Sequence, residues 1–77
     1  MSRNHKIAVD MIESRLSKLL AGNTSAQLHA ETSMAFEMAH SLGAIDLNEY
    51  TDYVTQHNQI IERQHQDLMA KLERLSA

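Results

Sequence analysis

Aliphatic side chains recur at every seventh position in the last part of the chain: Leu47, Val54, Ile61, Leu68 and Leu75. No proline or glycine falls between them. Seven residues are about two helical turns, so the five side chains form one stripe along a helix predicted over 47–75. At about 1.5 Å per residue that helix is about 43 Å long. Upstream, Ala8 or Val9, Ile12, Leu16, Leu19 and Leu20 recur at three- and four-residue steps. That spacing predicts a first helix over 4–21. Leu28, Ala35, Met38, Ala39, Leu42 and Ile45 share a face of a second helix, predicted over 25–42. Glu31 falls near the middle of that face, where a carboxylate without a partner is costly. Phe36 points the other way, among Ala26, Ser33 and Ala44.

Local signals place the helix ends. The chain has two glycines, Gly22 and Gly43, and each sits just past a predicted helix. Glycine tolerates the left-handed conformation that closes a helix. Ser2 or Asn4 can cap the first helix. Thr24-Ser25-Ala26-Gln27 reads as a capping box for the second, with the Thr24 hydroxyl as cap. Asp46-Leu47-Asn48-Glu49 reads as another for the third, with Ile45 and Tyr50 as its hydrophobic staple. Links this short make neighbouring helices antiparallel. The expected fold is all-α: one helical domain over 1–77, an antiparallel three-helix bundle with a long third helix. The first two helices are each about 27 Å long, so the third exceeds them by about 16 Å. Leu68, Met69, Leu72 and Leu75 lie on the excess, which leads us to expect completion of the bundle by dimerisation.

Composition narrows the function classes. At 77 residues the chain is short, and a domain of this size buries only about 60% of its unfolded surface. It has no cysteine, which excludes disulfides, thiolate zinc sites and a cysteine nucleophile. No apolar run approaches the about 20 residues of a membrane span. Residues 1–6 lead into an amphipathic pattern rather than the apolar core of a signal peptide. These features lead us to expect a soluble, cytoplasmic protein. The net charge of −3 is unevenly spread. Arg3, Lys6, Arg15 and Lys18 outweigh Asp10 and Glu13 in the first twenty residues. Residues 21–60 carry Glu31, Glu37, Asp46, Glu49 and Asp52 with no Lys or Arg.

The candidate chemistry is sparse. Glu37-Met38-Ala39-His40 and Glu62-Arg63-Gln64-His65 repeat a Glu-x-x-His spacing. That spacing resembles ferritin-like dimetal carboxylate bundles, which use it twice. The resemblance is confined to those four residues, with Glu13 and Glu31 as the only sources of further ligands. In a hairpin the two motifs lie roughly 15–18 Å apart along the axis, whereas paired metals need about 4 Å. We therefore expect no metal and no cofactor. No strand–turn–helix elbow or glycine-rich phosphate loop is present, and we expect no enzymatic activity.

His57 is one of five histidines and lies between Val54 and Ile61, at the other seam position of the heptad, with Tyr50, Gln64 and Lys71. A polar seam residue can fix register and partner, or respond to pH. The five methionines suit either core filling or adaptable surfaces.

The leading expectation is a non-enzymatic protein-interaction module: a regulator, inhibitor or assembly factor acting as a homo-oligomer. Its interface is expected at Ile61, Leu68, Leu72, Leu75 and Phe36, with a further protein partner. The alternative is a nucleic-acid-binding transcriptional regulator using the basic first helix. The second helix, which would read the groove, has no Arg or Lys, and that counts against it.

Overall fold

A computed structural model describes residues 2–76, which form three helices and no strand: α1 (Ser2–Leu20), α2 (Ala26–Ser41) and α3 (Leu47–Ser76). Each predicted boundary lies within two residues of the observed one. No helix among the described residues is long and apolar enough to cross a membrane.

The helix ends close as their residue types dictate. Gly22 and Gly43 take φ of 109° and 75°. Each sits in a paired-bond stop. Asn23 N–H donates to Lys18 O and Gly22 N–H to Leu19 O; Ala44 N–H donates to Ala39 O and Gly43 N–H to His40 O. Asp46 and Glu49 form the expected reciprocal box. Glu49 N–H donates to Asp46 Oδ1 at 2.8 Å, and Asp46 N–H donates to Glu49 Oε1 at 3.0 Å. Ile45 and Tyr50 both pack into the core. The cap of α2 is one residue later than expected. Ser25, not Thr24, accepts from Leu28 N–H at 3.1 Å, because its extended backbone sets Oγ under that amide. Gln27 bonds Glu31 instead of reaching back. Ser2 and Asn4 lie within α1 rather than ahead of it.

The core comprises Ile12, Leu16 and Leu19 of α1, Leu28, Phe36 and Ala39 of α2, Ile45, and Tyr53 and Ile60 of α3. Thr32 is fully buried and returns its hydroxyl to Leu28 O at 2.7 Å. The stripe of α1 is as expected, except that Leu20 is exposed. The face of α2 is rotated from its expected position. Leu28, Thr32, Phe36 and Ala39 point inward, while Met38 and Leu42 face out and Glu31 is exposed. The four described methionines, Met11, Met34, Met38 and Met69, are all on the surface.

Contacts between helices set their order. His5 near the start of α1 meets Glu49 near the start of α3, and Leu19 at the end of α1 meets Gln64. His40 near the end of α2 stacks on Tyr50, whereas His29 near its start reaches Gln64. The molecule measures 55 × 18 × 15 Å. Its length comes from α3, whose 30 residues span about 45 Å.

Candidate functional site

Two faces of α3 do different things, and their assignment is the reverse of the aliphatic pattern. Tyr50, Tyr53, His57, Ile60 and Gln64 turn toward α1 and α2. Leu47, Ile61, Leu68, Leu72 and Leu75 face solvent, and only Val54 of the seventh-residue stripe packs against the core. The reason lies in shape and polar satisfaction. The rings of Tyr50 and His57 meet Phe36 edge-on, each with centroids 5.8 Å apart, an arrangement that favours aromatic pairs by about 0.5–1.5 kcal/mol. The polar tips of this face also find partners. Tyr53 donates its hydroxyl to Glu13 at 3.3 Å. Burial first, and then the Glu13 carboxylate, push the Tyr53 phenol up to about 12.

Phe36 does not belong to the outer face. It is 3% exposed and lies at the centre of this ring cluster, so it is unavailable to a partner. Ile61, Leu68, Leu72 and Leu75 are on the outer face as expected, at 43%, 54%, 49% and 84% exposure. Met69 flanks them. Gln64 donates to Leu19 O and Asn23 O, which marks the level where α1 ends. Every residue from His65 to Ser76 is exposed. Those residues extend about 18 Å. At the root of the projection, Leu20, Gly22 and Thr24 face Gln64, Leu68 and Lys71 across a groove of about 470 Å³.

A second cluster is polar and internal. His57 is 5% exposed. Its Nε2 lies 2.9 Å from His29 Nδ1, and the two rings meet edge to edge with centroids 5.1 Å and planes 26° apart. His29 Nε2 lies 2.8 Å from Gln64 Oε1. Ser33 Oγ lies 3.4 Å from His57 Nδ1. Burial, reinforced by His29, holds His57 below the ordinary histidine value. Sequence reading singled out His57 and missed its partners. The signal was present as two polar pairs at helical spacing, His29 with Ser33 and His57 with Gln64, each on the flank of an apolar face.

The two Glu-x-x-His motifs stay apart. His40 stacks on Tyr50 at 4.7 Å between ring centroids, while Glu62 accepts from Gln66 twelve residues further along α3. Among the described residues no group of three or more His, Asp or Glu side chains is placed to hold a metal ion.

Comparison with protein-family models, with curated proteins and with solved structures gives no significant match.

Proposed function

We propose that this protein is a non-enzymatic interaction module, an antiparallel three-helix bundle that pairs with a second copy through the projecting part of α3. In that role it serves as a regulator, inhibitor or assembly factor for a further protein. One observation carries the reading: Ile61, Leu68, Leu72 and Leu75 remain exposed on one face of a helix that outruns its own bundle. Soluble proteins cover contiguous apolar strips of this kind.

The charge nearest the strip, Lys71, favours an antiparallel crossing. Leu68 lies midway between Ile61 and Leu75. A twofold axis at Leu68 sets Ile61 level with the partner's Leu75 and Lys71 with the partner's His65. A parallel pairing sets Lys71 level with its own copy. Opposite charges at one level steer register, and like charges oppose it.

Sedimentation equilibrium tests the proposal. Wild type is expected to dimerise at micromolar concentration. The double variant Leu68→Asp/Leu72→Asp is expected to weaken association at least about 100-fold, since each leucine withdrawn from an interface forfeits about 1.5–3 kcal/mol. A monomeric wild type, or a double variant that still dimerises, removes this face from consideration.

A further inference from the structure

The row Ser33–His57–His29–Gln64 has a direction, and that direction is set at one end by backbone. Gln64 Nε2 lies 3.3 Å from Leu19 O and 3.2 Å from Asn23 O. Carbonyl oxygens only accept, so the amide nitrogen of Gln64 faces them and Oε1 faces His29. An amide oxygen also only accepts. His29 Nε2 therefore carries the proton, and the Nδ1 of neutral His29 is bare. That bare nitrogen requires an N–H on His57 Nε2, 2.9 Å away. Neutral His57 then has a bare Nδ1, which accepts from the Ser33 hydroxyl. Both rings are fixed as Nε2–H tautomers, and every bond points from α2 through α3 toward the end of α1.

Added protons meet this row in two different ways. The first goes to His57 Nδ1. The Ser33 hydroxyl rotates to accept it, and His57 Nε2–H still donates to His29. Every bond survives. The second has only His29 Nδ1 left, where its N–H points at the N–H of His57. Two donors then face each other in place of a hydrogen bond, and two cations meet edge to edge. Groups this close titrate as a pair, in separated steps.

We infer that Ser33, His57, His29 and Gln64 form a proton-operated latch, which stays closed through the first added proton and opens when it takes a second. Opening parts α2 from α3 and frees Gln64 from the end of α1, just where α3 begins to project. This inference does not depend on self-association.

The surroundings leave the pair without a counter-charge. From α1, Glu13 is engaged with Tyr53 one turn before His57. From α2 the ring of Phe36 lies edge-on to His57, and Glu31 and Glu37 are exposed. On α3 the neighbour is Tyr53. Among the described residues no carboxylate hydrogen-bonds to either imidazole. Burial, and after it His29, hold His57 low.

Nitrogen-15 NMR of the imidazoles in the whole wild-type chain tests the inference directly. At neutral pH both His29 and His57 should show the Nε2–H tautomer. On acidification the pair should bind one proton with the ring-to-ring contact intact, and the second uptake should coincide with loss of that contact. A partner measurement follows helicity against pH in wild type, His29→Gln and the exposed control His65→Gln. The acid transition of His29→Gln should move down by at least about half a pH unit, because a lone histidine never meets a second cation. His65→Gln should leave it in place. Independent titration of the two rings, an Nδ1–H tautomer on either at neutral pH, or an unmoved transition in a folded His29→Gln would overturn the latch. If His29→Gln does not fold, the wild-type spectra decide.

Discussion

The side-chain amide of Gln64 donates to the carbonyl oxygen of Leu19 across the gap between α3 and α1. Leu19 is in the last turn of α1, where a carbonyl has no partner within its own helix. The same amide serves Asn23 O in the turn, and its oxygen serves His29. One polar side chain thus ties three segments at one level. Gln64→Leu keeps most of the volume and removes all three bonds. It should lower stability by about 1–3 kcal/mol, read as a shift in the urea midpoint at unchanged slope. A midpoint equal to wild type would show that water replaces these bonds without loss.

Phe36 and Leu72 sit at opposite extremes of exposure, and their alanine variants should separate accordingly. Phe36→Ala removes the ring that meets both Tyr50 and His57. It should cost about 3–5 kcal/mol, a large share of the stability of so small a domain. Leu72→Ala, measured at a concentration where the chain is monomeric, should stay within about 0.5 kcal/mol of wild type. Denaturant melts of both variants under identical conditions give the comparison.

The contrast between those residues shows where sequence reading succeeds. Helix number, boundaries and stops follow from local chemistry. Gly22, Gly43, Asp46 and Glu49 act within a few residues of themselves, so their effects are visible along the chain. The α1 stripe of Ile12, Leu16 and Leu19 is equally plain. The rotation of α2 and α3 about their own axes is a different kind of fact. On α3 an aliphatic stripe competes with a stripe of tyrosine, histidine and glutamine, and the latter faces inward. It does so because Phe36 supplies ring partners, while Glu13, His29 and Leu19 O satisfy the polar tips. None of those partners is near α3 in sequence. The exposed leucines were legible as a candidate interface; Phe36 was misplaced because its face depends on the rings opposite.

The capping box at the start of α3 gives a second acid-sensitive element, distinct in range from the histidine pair. The Asp46 backbone N–H, followed by His5, holds the Glu49 carboxyl below its ordinary value. A carboxyl lowered on folding stabilises the native state fully above its unfolded value and loses that contribution as pH falls through its folded value. Glu49→Gln should therefore lose less stability than wild type between pH 5 and more acid conditions. Asp46→Ala removes the other half of the box and should cost about 0.5–2 kcal/mol at neutral pH. Thermal melts across that pH range check both. A Glu49→Gln profile parallel to wild type would mean that the carboxylate gains nothing from its two partners.

Cysteine placement can read the orientation of the proposed dimer, because the natural chain has no thiol to interfere. In an antiparallel crossing centred on Leu68, the two Leu68 side chains are neighbours across the axis. Packed helix axes lie about 8–10 Å apart, facing Cα atoms are closer by about 2.3 Å from each helix, and a disulfide needs Cα atoms within about 7 Å. Leu68→Cys at the point of closest approach should therefore crosslink to itself under mild oxidation. Leu75→Cys should not, since its own copy lies about 21 Å away along the axis. Mixing Ile61→Cys with Leu75→Cys should instead give the mixed product. In a parallel pairing each single variant crosslinks to itself and the mixture gives little hetero-product. Non-reducing gels resolve the two patterns. Efficient self-crosslinking by Leu75→Cys alone would replace the antiparallel crossing with a parallel one. Failure of every variant to crosslink at concentrations where sedimentation finds a dimer would move the interface off α3, toward the exposed Ile7, Met11, Met38 and Leu42 along the groove between α1 and α2.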